Sequence, residues 1–293
     1  NNVIDNTPTD VTYTNATSAT LNIATTNSTP ADNYLYQVIV SASGLDCDPT
    51  TSSTVRLYVY DDPTITAQPI GDSICSNTSI ELSVSASGDP ALSGLSYQWQ
   101  ESITGTGSWN NVGSNSSTYT TPELNNTTRY YRVIITQTQS GCSTTSSNAM
   151  VVWNPIPTVT SAATKTICNG ASTNHNLTSN VPNTTFTWTA VQYSGSTIDG
   201  FSDCNTGCGT TINQTLTNAT TASGVVRYTI TPTGPPTTLC VGTEYTFDVT
   251  VNPTPDVIAN PTSRLICSGG LTNISLSTNI TTPAVTYSWS VVT

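Results

Sequence analysis

The chain has 293 residues, enough for two or three ordinary domains, and only 8% of them are charged: 17 acidic against 6 basic, a formal net charge of −11. Binding nucleic acid requires Lys and Arg to neutralise phosphates, so this balance excludes it as a partner and argues equally against anionic membrane surfaces. No apolar run approaches the about 18 residues of a membrane span, so membrane insertion is not expected.

Thr, Ser and Asn are abundant, while Lys, His and Met are nearly absent. Thr favours strands, and Asn, Gly and Pro favour turns. No useful helical period appears, so the class is all-β. Eight cysteines stand at 47, 75, 142, 168, 204, 208, 240 and 267, with His175 the only histidine. That pattern indicates an oxidising, extracellular setting.

In chain order, residues 1–62 form a first, partial unit. "YLYQVIVSASGLDC" (34–47) ends it with a strand followed by Cys47, and "VRLYVYDDP" closes it. Residues 63–154 form a whole unit. "SICSN" carries Cys75, then come Leu82 and Val84, Trp99 in "SYQWQ", and "TRYYRVIITQTQSGC" (128–142) ending at Cys142. Residues 155–252 repeat the order, with Cys168 in "TICNG", Leu177, Trp188 in "FTWTA", and Tyr228 and Ile230 in "VRYTITPTGPPTTLC", ending at Cys240; Val249 lies on the closing strand. Residues 253–293 hold only the beginning of a further unit, with Cys267 in "LICSG" and Trp289 in "YSWSV", which like Trp99 and Trp188 is expected as a core tryptophan.

Two cysteine series keeping one phase mark a repeat of about 95 residues. A Trp one strand before a Tyr-x-apolar strand fits tandem immunoglobulin-like β-sandwiches. Leu82 and Val84 then fall on strand B, Trp99 on C, Tyr131 and Val133 on F, and Val151 on G. Tyr36, Tyr131 and Tyr228 are expected as tyrosine corners. The two partial units are either a window on a longer chain or halves completed by other copies through strand complementation.

Two disulfide schemes compete. Within each unit the pairs are Cys75–Cys142 and Cys168–Cys240, with Cys47 and Cys267 pairing outside the chain. In the sandwich register, however, Cys75 and Cys142 lie at opposite ends, on the order of 30 Å apart, and a disulfide needs Cα atoms within about 7 Å. The other scheme crosses the boundary: it joins Cys75 to Cys240 and leaves Cys47, Cys142, Cys168 and Cys267 to residues of units not fully present. Cys204 and Cys208, in "DCNTGCG", read as a local loop disulfide; two thiols without a nearby His do not complete a metal site.

No catalytic constellation, metal site or cofactor motif is found, so no enzyme is expected. His175 lies in "STNHNLT", without a nucleophile-elbow sequence, and reads as a surface residue near strand B. Glu81, Glu101, Glu123 and Glu244 read as scattered surface. Asp61-Asp62 at a linker resembles interdomain calcium sites but lacks their DxD ligand sets. Twelve Asn-x-Ser/Thr sequons occur, among them Asn15, Asn77, Asn126 and Asn218. Trp109, in "GSWNNV", is the best candidate for an aromatic ligand platform, with packing at a strand edge as its other reading.

The set "ICSN/ICNG/ICSG … YQW … YYRV … GC" resembles the immunoglobulin-like and PKD-like repeats of very large Bacteroidota surface proteins, including the gliding-motility adhesins exported by the type IX secretion system. The resemblance implies an extracellular repeat array that mediates adhesion or forms a filament. Its partners would be neighbouring repeats, copies of the same protein, or surface glycans. Asp72-Ser73-Ile74 also resembles that phylum's O-glycosylation site, which marks Ser73. A binding module, or a spacer attached to a secreted enzyme, are the other functional expectations.

Overall fold

The computed structural model describes residues 10–25, 33–44, 48–280 and 283–292, and Cys47 lies outside them. All the regular structure among these residues is strand. The chain divides into two compact units, Asn1–Trp153 and Asn154–Thr293.

The first unit opens with six short strands: β1 (Val11–Thr14), β2 (Asn22–Thr25), β3 (Leu35–Tyr36), β4 (Ile39–Val40), β5 (Thr50–Thr51) and β6 (Val55–Arg56). They pair antiparallel as β1–β2, β3–β6 and β4–β5. Ten strands follow: β7 (Thr64–Ala67), β8 (Ser73–Cys75), β9 (Glu81–Ser83), β10 (Ser85–Ser87), β11 (Leu95–Ser102), β12 (Asn110–Val112), β13 (Thr118–Thr120), β14 (Arg129–Gln137), β15 (Ser143–Thr145) and β16 (Ala149–Asn154).

These ten build a two-layer sandwich. One layer runs β12-β11-β14-β16-β8, with β15 also on β14; the other is made of the pairs β9–β13 and β7–β10. The alternation of β14 explains why. Tyr131, Val133, Ile135 and Gln137 are buried, while the residues between them are half-buried, the period-2 signature of a strand with one face inward. Trp99 and Val133 are register partners at the centre. Leu82, Val84 and Leu124 close the core from the opposite layer. The Tyr119 ring stacks 5.8 Å from Trp99 and lies 5.7 Å from Tyr131.

The second unit holds β17 (Thr164–Cys168), β18 (His175–Asn176), β19 (Thr185–Gly195), β20 (Thr211–Ile212), β21 (Gly224–Thr233), β22 (Tyr245–Asn252), β23 (Ile258–Asn260) and β24 (Ser275–Ser277). The main sheet is β17-β22-β21-β19, in which β17 runs parallel to β22 and the other pairs are antiparallel. The facing layer is β18–β20, extended by single bridges such as Ser172–Thr215 and Asp199–Thr217. At Asp199–Thr217 the chain turns through Gly200, whose φ is +95°. A Cβ there would sit 2.1 Å from the Thr215 carbonyl oxygen, so glycine is required. Trp188 and Ile230 are register partners, repeating the Trp99–Val133 pair. The architecture is therefore that of tandem immunoglobulin-like sandwiches, all-β throughout.

Three expectations are corrected. His175 is buried, its ring stacked 3.6 Å from Phe247 between the two layers of the sandwich. The tyrosine corners do not form. Tyr131 Oη is buried with no hydrogen-bond partner, Tyr228 Oη donates to Gln214 Oε1, and Tyr36 Oη pairs with Tyr13 Oη. None of these bonds reaches the backbone, and the Tyr131 and Tyr228 rings pack in the two cores. Trp289 is not a core residue: it is 66% exposed, against 0% for Trp99 and 5% for Trp188. Within residues 253–280 and 283–292 only β23 and β24 pair, so no partner strand covers its ring.

Candidate functional site

Among the described residues, Cys75 and Cys168 end β8 and β17, and Cys142 directly precedes β15. Cys75 ends β8 and is followed at once by Ser76, whose Oγ accepts a bond from Trp153 Nε1. Cys142 lies at the other end of the sandwich, where its carbonyl accepts from Gln137 N–H at the last residue of β14. Since β14 has nine residues at about 3.3 Å each, roughly the length of that strand separates them. Cys142 is a free thiol, half-buried, with its Sγ 3.6 Å from the Tyr60 carbonyl. Cys168 and Cys267 are free and exposed. The within-unit pairs Cys75–Cys142 and Cys168–Cys240 are thus not made, and strand length is the reason. Cys75 and Cys240 are each disulfide-bonded.

Cys204 and Cys208 are joined, with Cα atoms 5.7 Å apart. The position of this bond explains it. In the first complete sandwich, β12 flanks Trp99 through the partner Val112. In the second, Cys204 takes that place: its N–H and C=O both bond to Trp188. Asp203 Oδ1 accepts from Ala190 N–H one step along. A single bridge replaces a strand, and the disulfide fixes the loop that carries it. Both sulfurs pack on the core of that sandwich.

Trp109 is half-buried, and the Arg132 guanidinium lies 4.1 Å above its ring. One face of the ring therefore carries a cation–π pair. Arg132 Nε also donates to Gln100 Oε1 at 2.8 Å, and Gln100 Nε2 donates to Asn111 Oδ1 at 2.9 Å. A comparable assembly lies on the second unit. There Arg227 sits 3.4 Å over Tyr193 and makes two 2.7 Å bonds to Asp248. The hydrogen bonds to Asp248 are the main reason its guanidinium is held above the ordinary arginine range.

The remaining candidates are dispersed. Ser73 is exposed on β8, its N–H bonded to Asp72 Oδ1. Asp61 and Asp62 are exposed, and among the described residues no three metal-ligating side chains gather. Glu81, Glu123 and Glu244 are exposed, and Glu101 is half-buried. Asn15, Asn77 and Asn126 are exposed with positive φ. Asn218 is 1% exposed. Its Nδ2 donates to the Ala222 and Val251 carbonyls and its Oδ1 accepts from Thr220, so that sequon is structural.

Residues 165–255 match the model of a PKD-like domain, and residues 64–154 match a domain of unknown function (DUF8696). No curated protein matches the chain. Among solved structures, an I-band fragment of titin aligns at 9% identity with a TM-score of 0.43, over 67% of this chain and 68% of that one. Sidekick-1 immunoglobulin domains 1–5 align at 14% identity and 0.39, over 86% of this chain and 52% of that one. Extracellular domains 3–5 of Drosophila OTK align at 16% and 0.36, over 76% and 71%.

Proposed function

We propose that this chain is a segment of a long extracellular repeat protein, in which sandwiches of about 95 residues act as disulfide-stabilised spacers of a rod or surface filament. The observation that carries the reading is the repetition of one closed core, Trp99 over Val133 and Trp188 over Ile230. Each repeat supplies its own stability, and the chain gains length by adding repeats. The reading keeps four units, 1–62, 63–154, 155–252 and 253–293, and places the protein with the adhesive surface arrays of Bacteroidota exported by type IX secretion. An enzyme has no part in it.

In this reading the clamp is the cross-boundary pair Cys75–Cys240. Its support is chemical: both cysteines are oxidised while Cys142 and Cys168 are free. Peptide mapping without reduction tests it. The expected result is one peptide joining Cys75 to Cys240 and one closing Cys204 on Cys208. A Cys75–Cys142 peptide contradicts it.

A further inference from the structure

Three strands meet in each closed core: Leu82, Trp99 and Val133 share one cluster, and Leu177, Trp188 and Ile230 share the other. In residues 253–292 the first two of these corners stand together without the third. Leu276, on β24, follows Cys267 at the spacing by which Leu177 follows Cys168, and Tyr287, Trp289 and Val291 repeat the alternation of Phe186, Trp188 and Ala190. Phe186, Trp188 and Ala190 are buried, whereas Tyr287, Trp289 and Val291 are exposed. A recess of about 470 Å³ is lined by both Leu276 and Trp289, with Val257, Val285 and Tyr287. Among the described residues no strand pairs with 285–292.

The missing corner occurs elsewhere in the chain. Tyr36, Val38 and Val40 have the spacing of Tyr131, Val133 and Ile135 on β14, and the hairpin around them copies that of β14 bond by bond. Val38 N–H donates to Ser52 Oγ at 3.0 Å, and the Val38 carbonyl accepts from Ser52 N–H at 2.9 Å. Val133 and Ser146 make the same two bonds, each at 2.9 Å. The pair Ile39–Thr51 repeats Ile134–Thr145, and Tyr36–Val55 repeats Tyr131–Ala149. The other edge of β14 is bonded to β11. The corresponding edge of β3 and β4 pairs with no strand among the described residues. Val38 is accordingly 51% exposed, against 0% for Val133.

We infer that residues 35–40 of one copy of this chain pair, as an antiparallel strand, with residues 285–292 of a second copy, and that the two close a core which neither holds alone. The register is Trp289 opposite Val38, Tyr287 opposite Val40 and Val291 opposite Tyr36. It is the register in which Trp99 meets Val133, Tyr97 meets Ile135 and Glu101 meets Tyr131. Val38 then enters the recess beside Leu276 and Trp289. In such strand addition the main-chain bonds give affinity and the alternate side chains give specificity. A slip of one residue would turn Trp289 out of the core, so the register is strongly set. Both closed sandwiches separate the two strands in sequence, and each copy carries one of each. The contact is therefore heterologous and joins copies head to tail.

The joint goes beyond the spacer reading, which stands on the closed cores at Trp99 and Trp188 and survives its failure. The test is analytical ultracentrifugation of the 293-residue protein from about 1 to about 100 μM, with free thiols capped by iodoacetamide so that no new disulfide contributes. The wild-type chain is expected to form oligomers that lengthen with concentration. Val38→Asp disables one strand and Trp289→Asp the other, each at an exposed position. Each variant alone is expected to sediment as a monomer with an unchanged Tm. Mixed one to one, the two are expected to give dimers and nothing longer, because one intact strand of each kind remains between them. Ile70→Asp, at an exposed apolar residue outside both strands, is expected to associate like the wild type. A wild-type chain monomeric throughout, variants that oligomerise as it does, a mixture without dimers, or a monomeric Ile70→Asp overturns the inference.

Discussion

His175 shows how a polar neighbourhood can hide a core residue. Its stretch "STNHNLT" has too few apolar residues to reveal a period, and β18 is only two residues long. Yet its ring is pressed flat on Phe247, and its buried Nε2 has no partner. Burial first, and the charge of Lys165 second, hold its pKa below the ordinary value. In the unfolded chain His175 takes a proton near pH 6.5, whereas in the native state it resists. Stability from this residue is therefore present above about pH 6.5 and lost as pH falls below it, at up to about 1.4 kcal/mol per pH unit. Urea denaturation between pH 7.5 and 4.5 should show a steeper acid loss for the native sequence than for His175→Phe. Parallel curves for the two would contradict the assignment.

At the scale of strands, the regular alternation of β14 and β21 made the F strands, the paired tryptophans and the tandem sandwich legible in the sequence. Period 2 survives because each strand has one face on a core, and every second residue must be apolar to fill it. The register of β14 also placed Cys75 and Cys142 too far apart to bond. Their partners were less legible, because disulfide pairing depends on which strand ends meet and local sequence does not encode that. The Cys204–Cys208 loop could be read as a disulfide, but not as the substitute for a missing edge strand; that needs the Trp188–Cys204 bridge. The tyrosines misled for a related reason. A Tyr-x-apolar pattern fixes the ring on the inner face but not where the hydroxyl points, and Tyr131 Oη ends without a partner.

Element cohesion can be tested through Trp99, which is fully buried and donates Nε1–H to the Ser116 carbonyl at 2.9 Å. Trp99→Ala removes the centre of one core and leaves that carbonyl unpaired. It should cost about 3–5 kcal/mol, a large share of the about 5–15 kcal/mol that holds a domain of this size. Under reducing conditions its melting curve should split. The sandwich of residues 63–154 should unfold first, while that of 155–252, built on Trp188, should keep its transition. A single transition shifted as a whole would mean that the two cores are not energetically separate.

For the whole molecule, the account rests on two closed sandwiches strung in one chain and, in the proposed function, on a clamp between Cys75 and Cys240. A covalent link between those residues would remove most of both repeats from the path of force when the chain is pulled by its ends. The direct measurement is single-molecule extension of the 293-residue protein from its termini, with and without reductant. With reductant, the account predicts two separate unfolding steps, each releasing about 300 Å of chain for a repeat of this length; without reductant, both steps should disappear. One undivided step under reduction, or two steps that persist without reductant, would contradict it.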